Sequence, residues 1–573
     1  MTLDNSWSAY IFRDGKQTFS GRKLVEELSG RLRGIAHTTE DERSNSLLDV
    51  LLRAGELECA LRDVGSPDAA TAESVTEKIA ETIVNGSLLR SDDTATTIAT
   101  ITAPEQVKVA PPEGFAYYSL HPLDMADLVR QSAPHAGYAA VIGIRSIGTT
   151  LSAVVKATLR GLGIFAERTT VRPVGHPYNR ETYFSDQQLA WVARMRSHGA
   201  AFFVVDEGPG MSGSSFLSVG DALFSAGVPR SEISFLCSRR ADPATLTADN
   251  AAERWPAFHA HYTEPTRYLP KQASQYIAGG IWRSRVFASE DAWPASWIQM
   301  ERLKFLSADG SRLFRFEGFG RFGEEERWRA AKVAEFGFGP MPEVPEQGFG
   351  VYSMIEGRHL SAPDANAVVL DRIAEYCAFR ARELPADVSE TPELETMLRF
   401  NTQQEFGIEL PAHLRRLAID RPVIADGRML PHKWIEVAPG AQPGMAVLHP
   451  ELMKIDSSSH GDDHFFPGPT DIAWDLAGAI VEWQLDGDAA CFFLERYRAY
   501  AGDDPSNRLP AYLLAYAIFR TAYCKMASAA MKNFPEHTRM FRSYQAYRDQ
   551  AACLLGKFAS TPNVPERNNA QVA

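Results

Sequence analysis

The chain has 573 residues, 45% of them hydrophobic and 23% charged, which is enough to bury several cores and corresponds to roughly three or four domains. Its net charge of −13 excludes a broad nucleic-acid surface while leaving room for a local basic cleft, so the expected partners are small anions and no nucleic acid. No run approaches the roughly 20 apolar residues of a membrane span, and the opening MTLDNSWSAYIFRDG has no basic segment followed by an apolar one; the expectation is a cytoplasmic protein with no membrane partner.

Residues 1–108 read as a small, mainly helical unit. Tyr10-Ile11-Phe12 suits a short strand before the Asp14-Gly15 turn, and apolar periodicity predicts helices over 21–33, 45–64 and 70–85. Leu47, Leu48, Leu51, Leu52 and Leu57 read as core. The stretch 102–114, with Pro104, Pro111 and Pro112, reads as a linker. From about 115 to 245 strand and helix alternate as a parallel sheet requires. Strands are expected near 140–144, 163–170, 201–205 and 232–237, and helices at 149–161, 186–198 and 215–226. Residues 246–295, rich in Trp and Pro, are expected to wrap this core. The six cysteines (Cys59, Cys237, Cys377, Cys491, Cys524, Cys553) show no CxxC spacing and read as buried thiols.

Chemistry concentrates first in 201–216, AFFVVDEGPGMSGSSF. Phe202 to Val205 make a buried strand, and Asp206 and Glu207 stand at its C-terminal end, where ligands bind in open α/β sheets. Gly208, Gly210, Ser212, Gly213, Ser214 and Ser215 then form a turn whose N–H groups and hydroxyls can converge on a phosphate. Upstream, AAVIGIRSIGTTLSAVV (139–155) repeats the strand-loop-helix plan. In it Arg145 brings a fixed charge, followed by Ser146, and Gly148 permits close approach of an anion.

The pair of segments resembles the phosphoribosyltransferase family, whose hallmark is an apolar strand, two acids and a small-residue loop that holds phosphoribosyl pyrophosphate. Here about one extra residue separates the acids from the Ser-Gly-Ser-Ser run. The resemblance implies that the acids hold ribose hydroxyls, the 210–215 loop holds the 5′-phosphate, and the Arg145 loop holds pyrophosphate. Between the two loops lies RPVGHPYNR (172–180), where the family carries a mobile active-site loop; Arg172, His176 and Arg180 are its candidate residues. The implied reaction displaces pyrophosphate at the anomeric carbon, with Mg2+ and arginine neutralising the leaving group. A solvated surface loop is the alternative for 172–180, and a generic Gly-rich turn for 208–215.

The second half has a different grammar. LKFLSADGSRLFRFEG (303–318) reads as two strands around Asp309-Gly310, followed by a charged helix from about Glu324, a strand near 350–354 and the segment Ile355-Glu356-Gly357-Arg358. This succession resembles the small lobe and hinge of aminoglycoside- and choline-type kinases, with Arg315 where such kinases carry a phosphate-binding lysine and Glu356 in the hinge. Further on, the resemblance implies a catalytic aspartate at Asp426, a metal ligand at His432 in place of Asn, and a metal-binding Asp456. Asp471 and Asp475 would open a bracing helix. ATP and Mg2+ are the implied cofactors. The usual His-x-Asp is absent, so an inactive or repurposed kinase shape stands beside the active one. Asp456, His460, Asp462, Asp463 and His464 also admit a separate metal site.

The expected architecture is therefore α/β: a helical unit (1–108), a parallel-sheet phosphoribosyltransferase-like domain (109–295), a kinase-like small lobe (296–360), a helical large lobe (361–560) and a disordered tail (561–573). The expected function is binding of phosphoribosyl pyrophosphate or a related sugar phosphate and transfer of its phosphoribosyl group, fused to a domain acting on a nucleotide. The alternative is a non-catalytic sensor or scaffold that binds the same ligands.

Overall fold

The computed structural model describes residues 17–134, 136–263, 268–438, 452–458 and 468–559. The strand expected at 10–12, the turn at 14–15, the tail 561–573, and His460, Asp462, Asp463 and His464 lie outside them.

In the N-terminal unit β1 (Gln17–Ser20) and β2 (Gln106–Val109) pair antiparallel and bracket four helices, Gly21–Gly34, Glu40–Asp63, Ala69–Asn85 and Ser91–Ala99. The second begins ahead of the expected 45 because Thr39 and Glu42 cap it reciprocally. Thr39 Oγ1 accepts the Glu42 N–H (3.4 Å), and the Glu42 carboxylate accepts the Thr39 N–H (3.1 Å). The fourth helix, Thr-rich and burying little beyond Ala95 and Ile98, is too short and polar for periodicity to show. β2 falls in the stretch expected as a linker. Its Val107 and Val109 alternate inward, a two-residue period that the neighbouring prolines hide.

The parallel sheet consists of β3 (Tyr138–Ile144), β4 (Phe165–Val171), β7 (Ala201–Val205), β8 (Ile233–Cys237) and β9 (His259–Tyr262), in the order β4-β3-β7-β8-β9. A hairpin, β5 (Val174–His176) and β6 (Asn179–Glu181), follows β4. Apolar runs form β3 and β7 because both faces are covered. Ala139, Val141, Phe203 and Val205 meet helix Ile147–Gly161 on one side. Ala140, Ile142, Phe202 and Val204 meet helices Asp186–Ser197 and Ser214–Ser225 on the other. The region expected only to wrap this core supplies β9 as its edge strand.

The same region also supplies β10 (Gln275–Tyr276), the edge of an antiparallel sheet with β11 (Lys304–Leu306), β12 (Arg312–Phe316) and β13 (Phe349–Ser353). Phe305, Phe314, Phe316, Phe349 and Val351 of this sheet join the core cluster of β3 and β7, so the two sheet units share apolar packing. Helix Arg321–Glu335 follows β12, starting a little before the expected Glu324. Beyond it come β14 (Gly357–His359), β15 (Pro422–Val423), β16 (Trp434–Val437), β17 (Leu452–Lys454) and β18 (Thr470–Asp471). A helical lobe encloses Trp434, Trp474 and Trp483, with Leu509–Ala530 as its central helix. Cys491 and Cys553 correct the expectation of buried thiols: both are exposed, because they stand on the solvent faces of amphipathic helices. Among the described residues no helix is long and apolar enough to cross a membrane.

Candidate functional site

Strand order reverses between β3 and β7. The helix after β3 lies on one face of the sheet and the helix after β7 on the other, so a crevice opens at the C-terminal ends of these two neighbours, the usual ligand position of open α/β sheets. Both loops singled out above empty into it. A Cβ added to Gly148 would meet the Val205 carbonyl oxygen at 2.5 Å and Asp206 Oδ1 at 3.5 Å; backbone cannot yield as a flexible side chain can, so only glycine lets the Arg145 loop lie against the acids. Ser146, with φ 109° and ψ −116°, holds a strained conformation at the helix entrance, as loops shaped for a ligand often do.

The acids stand among partners from distant segments. Burial raises Asp206 well above the ordinary carboxylate range, and the Glu207 charge adds to this while Arg172 opposes it. Burial together with Glu113 pushes Glu207 up to about 8, and burial pushes Glu113 itself to about 7; Arg239 opposes both shifts. Glu113 lay in the apparent linker and was not singled out. Arg239 follows β8, and its place at the end of a parallel strand was a usable signal.

Arg145 and Arg172 flank the crevice. Both bind Asp63, the last residue of helix Glu40–Asp63: Arg145 Nη1 to Oδ1 at 3.1 Å and Arg172 Nε to Oδ1 at 3.2 Å. Arg172 also donates to the Arg145 carbonyl (2.8 Å). In the phosphate-type turn, Gly210 and Gly213 take φ values of 59° and 71°. The Ser212 and Ser214 hydroxyls both donate to the Pro177 carbonyl at the hairpin tip, at 3.0 and 2.7 Å, so the hairpin is latched onto the turn. Ser215, in the first turn of helix Ser214–Ser225, is half-buried, and its carbonyl accepts the Ser218 hydroxyl. His176 and Arg180 ride on the hairpin: His176 Nδ1 accepts the Tyr178 N–H (3.3 Å), and Arg180 reaches the Pro173 carbonyl. Among the described residues no group of three or more His, Cys, Asp or Glu side chains is placed to hold a metal.

Because Glu113 and Glu207 are raised above their ordinary values, the folded state holds their protons more tightly than the unfolded chain. The stability they contribute is complete at low pH and is lost as pH rises through about 7 to 8. The same protons neutralise the crevice floor. Thermal stability should therefore fall from about pH 6.5 to about pH 8.5, and Glu207→Gln should flatten the upper part of that decline.

A second cleft lies between β12–β13 and β16–β17. It encloses about 150 Å³, walled by apolar side chains such as Leu313, Met354, Ile435 and Ile455, with Lys304, Arg315, Lys433 and Lys454 among its lining residues. Arg315 on β12 pairs with Glu326 of helix Arg321–Glu335 and binds Asp456 Oδ1 through Nη1 at 2.7 Å. Lys433 binds Asp456 Oδ2. These cations overcome burial and hold Asp456 well below the ordinary carboxylate range. Asp426 is 1% exposed; Lys454 Nζ lies 3.0 Å from its Oδ2, and the Tyr376 hydroxyl donates to the same oxygen at 2.5 Å. His432 is kept neutral by burial and by Lys433, and its carbonyl bonds His359 Nδ1 at 2.7 Å. Asp475 accepts the Asp426 and Gly427 N–H groups (2.8 and 3.0 Å), and Asp471 accepts that of Ala473 (2.8 Å). Glu356 is exposed, and Ser353, Met354 and Ile355 line the cleft in its stead.

The residues expected to hold Mg2+ here do not fit the ion as they stand. Among the described residues, Asp456 carries a cation on each oxygen, and His432 has the Lys433 charge beside it.

No family model matches the chain, and no curated protein matches it. Among solved structures, a choline/ethanolamine kinase family protein from Mesorhizobium loti aligns at 16% identity over 49% of this chain and 94% of its own, with a TM-score of 0.32. Choline kinase LicA from Streptococcus pneumoniae aligns at 13% identity over 44% and 90%, with a TM-score of 0.31. A putative aminoglycoside phosphotransferase from Ralstonia eutropha aligns at 10% identity over 44% and 89%, with a TM-score of 0.30.

Proposed function

We propose that the crevice between β3 and β7 binds phosphoribosyl pyrophosphate or a related sugar phosphate and transfers its phosphoribosyl group to an acceptor, while the second cleft takes a nucleotide. One observation carries the first part: the arginine-bearing loop and the acid-plus-serine loop leave adjacent strands at the point where strand order reverses, close enough that a Cβ added to Gly148 would lie 3.5 Å from Asp206 Oδ1. In this reading Asp206 and Glu207 hold the ribose hydroxyls, Ser212 to Ser215 hold the 5′-phosphate, and Arg145 and Arg172 face the pyrophosphate. The bond from the anomeric carbon to pyrophosphate breaks, the leaving group keeps the electron pair, and a bond to the acceptor nucleophile forms as its proton passes to solvent. Arg172 precedes the hairpin and His176 and Arg180 ride on it; release of Pro177 from the two serines would let it close over the ligand. For the cleft, apolar walls beside a cationic floor suit a heterocyclic base and its phosphate.

Calorimetric titration of the full chain with phosphoribosyl pyrophosphate and Mg2+ tests the crevice. Binding heat is expected, and the double change Asp206→Ala with Glu207→Ala should weaken affinity about tenfold, equivalent to about 1.4 kcal/mol. Absence of heat, or an unaltered affinity in the double variant, would remove the proposal.

A second reading, ligand sensing without turnover, is favoured by the hold of Asp63 on Arg145 and Arg172 and of Pro177 on the two serines, which keep the groups needed for catalysis engaged. Release of pyrophosphate across a panel of bases and other nucleophiles separates the two readings, since only transfer produces it.

A further inference from the structure

We infer that the second cleft binds a nucleoside phosphate without a divalent cation and leaves its phosphates intact. The inference rests on the reading of that cleft as a nucleotide site and adds how the phosphate charge is met. A phosphotransferase places Mg2+ between a carboxylate and the phosphates, the ion supplying the charge that holds them and that disperses charge during transfer. Among the described residues the place beside Asp456 is taken by side chains. Arg315 Nη1 sits 2.7 Å from Asp456 Oδ1 and Lys433 contacts Oδ2, while Lys304 stands on the strand beside Arg315, its registered neighbour across β11 and β12. The carboxylate thus serves as counter-ion to two fixed cations. A divalent ion approaching it meets like charges on both sides, and this repulsion is strongest in a cleft of low dielectric.

Phosphoryl transfer further needs a base that meets the acceptor hydroxyl. Asp426 does not offer one, being 1% exposed with Lys454 and the Tyr376 hydroxyl on its oxygens. Binding survives these departures and chemistry does not. Leu313, Met354, Ile435 and Ile455 offer apolar surface to a base, and the phosphate exchanges with Asp456 for Arg315 and Lys433.

The exchange gives a test that points opposite to the one for a metal-dependent kinase. Calorimetric and thermal-unfolding titrations of the full chain with ADP and with ATP are run in EDTA and in Mg2+. Affinity in EDTA should equal or exceed that in Mg2+. Asp456→Asn, which removes the carboxylate charge that competes with a phosphate for Arg315 and Lys433, should tighten binding in EDTA about tenfold, and Lys433→Met should loosen it about tenfold. Lys433→Met keeps the test decisive should Asp456→Asn fail to fold. Binding that requires Mg2+, or that Asp456→Asn abolishes in a folded protein, overturns the inference while leaving the nucleotide reading standing. Absence of binding by either nucleotide in either buffer overturns both.

Discussion

Replacement of Arg168 by methionine is expected to loosen the N-terminal helices from the parallel sheet at a cost of about 3–5 kcal/mol near pH 8. Arg168, on β4, is wholly enclosed. Its Nη2 lies 2.7 Å from Glu58 Oε2, its Nε 2.9 Å from Glu77 Oε1, and its Nη1 donates to the Thr149 carbonyl at 3.3 Å. Glu58 and Glu77 belong to two helices of the N-terminal unit, so one guanidinium joins three elements. Methionine preserves much of the volume but leaves Glu58, which is also fully buried, with no cation in contact. Burial already raises the Glu58 carboxyl against the pull of Arg168, and without that pull it rises further. Stability tied to such a raised group is complete at low pH and falls as pH climbs through its folded value, so the deficit should shrink on acidification. Hydrogen exchange read by mass spectrometry on peptides from 40–63 and 69–85 reports the loss locally, which suits a chain of several units better than one global transition. Glu58→Gln in the Arg168→Met background should recover part of the protection. Undiminished protection in the single variant would show that apolar contacts such as Val154 against the helices suffice alone.

Arg380→Met is expected to cost a similar amount, about 3–5 kcal/mol, within the helical lobe. Arg380 is completely buried. It donates to the Tyr376 hydroxyl (2.8 Å) and to the Ser457 carbonyl (2.9 Å), and its Nε lies 3.6 Å from Asp475. Asp475 in turn holds the Asp426 and Gly427 N–H groups. Removing the guanidinium leaves Asp426 with Lys454 and leaves Asp475 facing Asp426 with no opposing charge. Asp475 already lies above the ordinary carboxylate range through burial and the Asp426 charge, with Arg380 pulling it down. Its raised value means stability that is complete at low pH and declines as pH rises, and the variant should extend that decline to higher pH. Urea unfolding followed by tryptophan fluorescence, to which Trp434, Trp474 and Trp483 of this lobe contribute three of the chain's ten tryptophans, monitors the change. An unfolding free energy within a few tenths of a kcal/mol of the parent across the pH range would contradict the assignment.

Arg168 also bears on the two candidate sites. Arg168 ties down the helix whose last residue, Asp63, reaches Arg145 and Arg172. The same helix carries Glu56, which pairs with Arg321 at 3.0 Å in the helix that also bears Glu326, the partner of Arg315. One helix therefore touches structure adjoining both the crevice and the cleft.

Much of the crevice was legible locally. An unbroken apolar run such as Phe202 to Val205 has to be a strand covered on both faces. The small residues after it have to turn, and Gly148 and Gly213 mark where backbone must approach closely or take a positive φ. These are properties of neighbouring residues, so the order of loop, acids and helix could be read in the chain. The same logic marked β11, β12 and their Asp309-Gly310 turn. It failed at β2 and β9, where a short strand owes its existence to the partner it pairs with.

The residues alone settled the long apolar strands, the turns after them and the chemical groups those turns carry, because each depends on contacts within a few positions. Only the tertiary structure decided what those groups meet. Asp63 on Arg145, Glu113 beside Glu207, and Arg315 with Lys433 on Asp456 are encounters between distant segments, 141 residues apart for Arg315 and Asp456. The charge state and occupancy of a site follow from such encounters, because burial and the nearest opposite charge set whether a carboxylate is free to hold a metal, a ribose or a neighbouring cation.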